Sequence, residues 1–600
     1  MKVGAAFSDS IYTQKPKFFH GGKREYRFGD LVTMRGFLLP IFFVVLAIIL
    51  LGRLLFLQII QGESFRVLSD TNRTRTTDIH APRGVIFDRN HIPLVFNTPG
   101  YRRVVSGKIN LVSNNDAMSL LAHGQSLEID SLRYYPYKDI FAHVVGYIGQ
   151  ITPDDLQLPE FSHYLASDVI GKEGIEQNYE NLLKGVDGKK LVEVDATGKV
   201  IRTLGQTDPI PGQNLTLTLD VKIQESAYEA MKDVAKGAAI VSSPKGDILA
   251  LVSKPSFDPN LFTMGEHYIA SDSGYTKVSQ VLLDNDGQPL LDRAIGGMYP
   301  PGSTFKLLTA AAGLQTNTID SNYTVEDDGI LKVGDFSFAN WYYTEYGKTE
   351  GQVDITKAIK RSNDIFFYKL ADLVGVDKIS AIASEFGVGK KLGIDLAGER
   401  SGLLPTRAWK QKTLGEQWYL GDNYHYGIGQ GYLLTTPLQV NGWTQALANS
   451  GTLYRPHLLT ATTSQSLQSN LLTSTNMELI RQGMIAACQK GGVAWPLFNF
   501  TVKNQSLKAR IDGKDFLAPL VSTGSAALSS DSVGVSIACK TGTAQHGDDN
   551  TLPHAWITLF APAYHPQIVV TVLSETSGEG SNVAGPVAEK ILRTYFEKKN

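Results

Sequence analysis

Cysteine is almost missing from this chain: Cys488 and Cys539 are the only two in 600 residues. That excludes a disulfide framework and a thiolate zinc ribbon, both of which need more. A single bridge is possible on paper, but no local signal brings the two together, so they read as separate small buried side chains. An excess of charge of either sign is missing too. The net charge is −2, which excludes a nucleic-acid partner held by bulk electrostatics. Charged residues make up 19% and apolar residues 42%, a globular balance that excludes a disordered chain. The length predicts roughly two to four domains.

Gly36 to Leu51 is uncharged, Arg53 interrupts, and the apolar run resumes through Leu54 to Leu57. About 20 residues cross a bilayer core, so 36–57 is expected to form one transmembrane helix with Arg53 reaching outward. Lys15, Lys17, Lys23, Arg24, Arg27 and Arg35 precede it, opposed only by Asp9, Glu25 and Asp30. This bias makes 1–35 a cytoplasmic tail and puts the rest outside. A cleaved signal peptide fits less well, because the stretch is long and no Ala-x-Ala site follows.

Beyond the span, Gln58 to Asn72 has helical spacing and extends the membrane helix. A Pro/Gly break at Asp208 to Gly212 divides 58–212 from 213–600. In the second part, Val221 to Val234 reads as an amphipathic helix and Ala238 to Leu251 as two strands. Val533 to Cys539, Ala555 to Phe560 and Ile568 to Ser574 read as further strands, and Asn582 to Lys598 as a closing helix. Strands at both ends around a helical middle predict an α+β domain whose sheet joins N- and C-terminal pieces. Asn110 to Leu127 reads as a loop or small subdomain, and Asn499 to Ser532 as an inserted loop.

Three short strings carry chemistry. Ser303-Thr-Phe-Lys306 follows a Pro/Gly break and opens a helix-forming Ala/Leu run. A serine there meets free N–H groups and a helix dipole, and a lysine three residues on shares its face. Burial and neighbouring cations would lower the lysine's pKa and ready it as a base. Ser242-Ser-Pro-Lys245 has the same spacing and reads as a turn. Ser362-Asn-Asp364 is a polar knot between two apolar helices, placed to enter a cleft, although capping alone could explain it. Lys540-Thr-Gly-Thr543 closes an apolar strand; its lysine and hydroxyls suit a carboxylate, and its glycine admits a substrate backbone. Nucleophile, base, second hydroxyl and cation together are what acyl transfer through a serine ester requires. His546 and His554 read as loop histidines, and Phe338 to Trp341 as packing near the cleft.

With these strings in this order, the chain resembles the class B penicillin-binding proteins. Tyr299-Pro-Pro-Gly-Ser303, Gly429-Gln-Gly431 with Thr436-Pro437, and Pro553-His-Ala-Trp556 are most similar to the elongation-type branch. Arg83-Gly84, Asp88-Arg-Asn90 and Gly171 to Tyr179 resemble that family's non-catalytic pedestal. The resemblance implies an antiparallel sheet with flanking helices and a helical subdomain, of the fold shared with serine β-lactamases, behind a mixed pedestal domain. It implies that Ser303 attacks the D-Ala-D-Ala bond of a peptidoglycan stem peptide, that Lys306 takes its proton, and that Ser362 with Lys540 protonates the leaving group. The N–H groups of Ser303 and Thr543 would form the oxyanion hole, and Thr541, Gly542 and Thr543 would bind the donor. An amine from a second stem would resolve the ester, and β-lactam antibiotics would acylate Ser303. A SEDS-family membrane glycosyltransferase is the implied partner. A carboxypeptidase or β-lactamase, or a non-catalytic scaffold or β-lactam sensor, are the alternatives.

The chain departs from the family pattern in places. Asp364 stands where asparagine is commoner and would favour the ammonium form of Lys306. Cys539 stands where glycine usually precedes the lysine, and the pedestal between Tyr101 and Tyr134 looks short. The 354–364 stretch has neither Cys nor His, so no metal and no other cofactor is expected.

Overall fold

The computed structural model describes residues 35–597, except 106–107, 126, 196, 198, 266, 519–531 and 549. The basic tail and the middle of the 499–532 stretch lie outside the described residues. Helix α1 (Arg35–Leu55) runs through a single π turn at Phe56–Ile60 into α2 (Gly62–Arg73). Leu38–Ile60 is apolar over 23 residues with its side chains exposed. At 1.5 Å per residue that is about 34 Å, enough for a bilayer core. The Arg53 guanidinium lies over the Phe56 ring, 5.4 Å from its centroid.

By density of contacts the chain forms two compact units. Of the described residues, those up to 77 with 190–206 make one, and 78–189 with those from 207 on the other. The second unit contains the pedestal-like segment, whose core is ionic as well as apolar. Arg83 donates to Glu176 at 2.7 Å and to Glu180 at 2.7 Å, and Arg133 donates to Glu176 at 2.6 Å, all buried. Burial alone would push the Glu176 carboxyl up, yet Arg133 and Arg83 hold it below the ordinary value. Gly84 packs where a Cβ would collide with the Gln213 carbonyl. Where the sequence reads as a loop or small subdomain, Lys108–Val112 is a strand and Asn114–Ala122 a helix, started by Ser113, whose side chain accepts from Asp116 N–H.

The catalytic part is built on five antiparallel strands: β1 (Gly237–Ser242), β2 (Ile248–Lys254), β3 (Ala538–Ala544), β4 (His554–Ala561) and β5 (Ile568–Ser574), in spatial order β2-β1-β5-β4-β3. The N-terminal hairpin pairs with the C-terminal strand in the register Gly237↔Ser574, as the sequence predicts. Alternation splits each strand between two cores. Trp556 and Phe560 face one core, formed with α4 (Lys306–Gln315), α5 (Ile355–Arg361), α6 (Asp364–Val374) and α7 (Pro437–Ala448). Ile557 and Leu559 face the other, formed with α3 (Val221–Ala230) and α9 (Ala584–Glu597). Both faces are covered, so the strands read as continuous apolar runs.

Two expectations fail here. Val533 to Cys539 is not one strand: Ser532–Val535 joins a separate three-stranded sheet with segments of the 499–532 stretch, and β3 starts at Ala538. The cysteines are not separate thiols. Cys488, which closes helix α8 (Ser474–Ala487), and Cys539 of β3 form a disulfide with Cα atoms 6.0 Å apart. Local periodicity carries no information that the end of α8 lies against the back of β3. Cross-linking across 51 residues contributes about 4 kcal/mol through lost unfolded-chain entropy.

Candidate active site

Ser303 sits in a 3-10 turn, Gly302–Thr304, that feeds directly into α4, so Lys306 is the first residue of that helix, not a residue inside it. Three close approaches place the turn. Gly302 N–H donates to the Gly429 carbonyl at 2.9 Å, and Gly429, with φ +78, sits so close that a Cβ would fall 2.1 Å from the Gly302 carbonyl. Gly542 of β3 lies where a Cβ would be 3.1 Å from the Pro301 carbonyl. The Trp556 indole N–H donates to the Pro300 carbonyl at 3.1 Å. Tyr299 and Thr435 exchange backbone hydrogen bonds, and Thr436-Pro437 begins α7 with a capping box to Gln439. The Gly429-Gln-Gly431, Thr436-Pro437 and Pro553 to Trp556 strings thus brace the serine.

Ser362 is neither an N-cap nor the start of a helix. It ends α5 with φ 54, a left-handed position, and Asn363 caps α6 instead. This turn aims Ser362 at both lysines. Lys540 Nζ donates to Ser362 Oγ at 2.9 Å and to the Thr541 carbonyl at 2.8 Å. Lys306 Nζ lies 2.7 Å from the Ser362 carbonyl, 3.3 Å from Ser362 Oγ and 2.6 Å from Asp364 Oδ1. Both lysines are fully buried, whereas Ser303 is half-buried.

Burial drives the Lys306 ammonium below the ordinary amine value. Asp364 opposes this by charge and hydrogen bond, and burial prevails. Burial lowers the Lys540 ammonium too, and the nearby charge of Lys306 adds to that. The adverse effect expected of Asp364 is therefore present, but it is outweighed. Asp364 is also held in place: its Oδ2 accepts from Trp341 N–H at 3.0 Å, and its own N–H donates to Asn340 Oδ1 at 3.1 Å.

Thr541 and Gly542 are buried and Thr543 is exposed on β3, the edge strand beside the serine turn. An edge strand keeps one row of backbone donors and acceptors unpaired within its sheet. The structure brings Lys306, Ser362, Asp364 and Lys540 into hydrogen-bond contact and sets the serine turn against Thr543 and Ala544 of β3. Sequence reading misses the layer behind them. Asn363 Nδ2 and Asn340 Nδ2 both donate to the buried Asp327 Oδ2, at 2.6 and 2.8 Å. Asp327 carries no motif of its own, and Asn340-Trp341 reads only as packing.

The histidines are structural. His554 begins β4, not a loop, and its Nδ1 accepts from Thr576 N–H at 3.1 Å. Burial and the stacked ring of His546 push it down to about 4, so it stays neutral.

Residues 237–593 match the family model of the penicillin binding protein transpeptidase domain, and residues 116–217 that of the penicillin-binding protein dimerisation domain. The peptidoglycan D,D-transpeptidase MrdA of Acinetobacter baumannii is 32% identical, over 93% of this chain and 87% of its own. The structure of Pseudomonas aeruginosa PBP2 in complex with WCK 5153 is similar at a TM-score of 0.65 and 31% identity, covering 88% of this chain and 97% of that one. That of PBP2 with MreC from Helicobacter pylori is similar at a TM-score of 0.69 and 27% identity, covering 87% and 98%.

Proposed function

This chain belongs to the penicillin-binding proteins, and within them to the class B, elongation-type D,D-transpeptidases that cross-link peptidoglycan through a serine acyl-enzyme; on that premise we propose the roles its residues take. Ser303 Oγ attacks the carbonyl between the terminal D-alanines of a donor stem, and neutral Lys306 accepts its proton. The N–H groups of Ser303 and Thr543 hold the oxyanion, an electrostatic contribution usually large in acyl transfer. Ser362 accepts a hydrogen bond from Lys540 and donates its own proton toward the departing D-alanine, and Lys540 restores that proton. Thr541, Gly542 and Thr543 bind the donor along the edge of β3. An amine of a second stem then attacks the ester by the reverse proton path, and β-lactams stop at the acylated Ser303.

The observation that carries this reading is the Ser362 hydroxyl, 2.9 Å from one buried lysine and 3.3 Å from the other. Two adjacent ammonium ions in a buried site repel, so one amine is readily neutral, as a proton relay requires. Labelling by a fluorescent penicillin tests the assignment. Wild type is expected to label covalently, and Ser303→Ala not at all; equal labelling of the two proteins overturns it. With a stem-peptide donor and an amine acceptor, cross-linked product should exceed hydrolysed product.

The protein is a single-pass inner-membrane protein with its catalytic domain outside the cytoplasm. Residues 58–212 serve as its pedestal and 213–600 as its catalytic domain. Its partners are of the elongation machinery: a SEDS-family glycosyltransferase that supplies glycan strands, and an MreC-like protein, since the similar Helicobacter pylori PBP2 forms a complex with MreC.

A further inference from the structure

Along β3 successive side chains leave opposite faces. Ala538 and Ala544 join the core on the α4 side, and Lys540 leaves on that side to reach Ser362. Cys539 joins the rear core, bonded to Cys488 at the end of α8. The flank of α8 is also pressed against α5, the helix that ends in Ser362. Gly483 lies so near that a Cβ there would come within 2.7 Å of Ile359 Cβ. The Ile359 carbonyl in turn accepts from Ser362 N–H at 3.3 Å. Ser362 and Lys540 are therefore tied to one helix, the first by packing that leaves no slack and the second by a covalent bond next to it in sequence.

We propose that the Cys488–Cys539 disulfide is a positioning element for the acyl-transfer reaction: it ties β3 to α8, and through α8 to α5, so that the Lys540 amine is kept within hydrogen-bond distance of the Ser362 hydroxyl. This rests on the assignment of Ser362 and Lys540 made above. Neither sulfur touches the reacting atoms; both act through Lys540. Displacement of a catalytic group by about 1 Å costs up to about 100-fold in rate, so a covalent tie one residue away has leverage. Without it β3 relaxes from the helices and Lys540 separates from Lys306. Solvent and distance then return the Lys540 amine toward its ordinary value, and more of it is charged at neutral pH.

The test uses the full chain in detergent. Cys488→Ser, Cys539→Ser and the double variant are compared with wild type, whose bridge is verified by intact mass. The first-order acylation step by a fluorescent penicillin is expected to fall about tenfold or more, with its non-covalent binding unchanged. The alkaline limb of the rate profile, set by protonated Lys540 as the donor to Ser362, is expected to move to higher pH. Both single variants and the double variant should lose the same factor, because cutting either end of one bond removes all of it. Losses that add, or folded variants with the wild-type rate and pH profile, overturn the proposal. Should the variants not fold, wild type is treated with a phosphine. One disulfide, one phosphine and one water give two thiols and a phosphine oxide, and maleimide counts the thiols. Folded protein with both thiols free and an unchanged acylation rate overturns the proposal equally. Lys540→Ala separates the two readings. Wild-type acylation by that variant overturns the assignment of Lys540 itself, whereas loss there beside unaffected cysteine variants overturns the disulfide's role alone.

Discussion

Lys540 donates to the Ser362 hydroxyl over 2.9 Å, and the two come from opposite walls of the cleft. Lys540 belongs to a sheet strand and Ser362 to the left-handed end of a helix. A contact between separately folded walls is sensitive to anything that shifts either one, and it makes the electrostatics of the site depend on packing.

Burial depresses Lys540, and that has a cost in stability. A group whose folded pKa is depressed contributes fully above its unfolded value, near 10.4 for lysine, and loses that contribution as pH falls through the folded value. At neutral pH the wild type therefore bears the cost. Lys540→Met should abolish acylation yet raise stability by roughly 1–2 kcal/mol. Thermal unfolding at neutral and at strongly alkaline pH measures this, with the gap shrinking at the alkaline end.

Asp364 opposes the fall of Lys306. Asp364→Asn keeps the shape and removes the charge, so Lys306 should fall further and the acid limb of acylation should move to lower pH. The limb should move by about one to three pH units, the shift that one nearby charge produces. A limb that moves to higher pH would contradict the role of Asp364.

A Cβ on Gly542 would stand 3.0 Å from Trp556 Cβ and 3.1 Å from both the Pro301 carbonyl and Thr304 Cγ2. Gly542→Ala should push the serine turn from the strand and slow acylation by about 10- to 100-fold. The cost in stability should stay at about 1–3 kcal/mol, the usual range for overpacking. Acylation kinetics with thermal unfolding on the same sample separates the two effects.

Glu173 is pushed up to about 8 by burial and then by the charge of Asp292, and Asp292 is pushed up to about 7 by burial. Groups with raised folded values stabilise fully below their unfolded values, near 4, and lose that contribution as pH rises through 7 to 8. The unfolding free energy of wild type should therefore decline between about pH 4 and 8, by up to about 1.4 kcal/mol per pH unit for each proton. Glu173→Gln should flatten the decline, which a series of thermal melts against pH will show.

Much of this was readable from residues alone. The apolar alternation of Ile568 to Ser574 and the break at Pro300 to Gly302 mark local events, and local events leave local patterns. The three motif strings were legible for the same reason. What stayed hidden depends on elements far apart in the chain. Asp327, which holds Asn340 and Asn363 from behind, looks like any turn aspartate until the fold brings the three together. The cysteine pair was misread because nothing near Cys488 reports what lies behind Cys539. Ser362 was legible as a site residue but not as a left-handed helix end, since serine carries no signal for positive φ.

The sheet is assembled from both ends of the catalytic part: β1 pairs with β5, and β3 joins only through β4. A chain emerging from the membrane N-terminus first exports Ser303 and Ser362 long before the strands that complete the cleft. Until residues 568–574 have crossed, the first hairpin has no neighbour on its inner edge and Lys540 has no sheet to stand on. A half-exported molecule therefore presents Ser303 and Lys306 without Lys540 and the β3 edge, and its site is complete only when the last strands arrive.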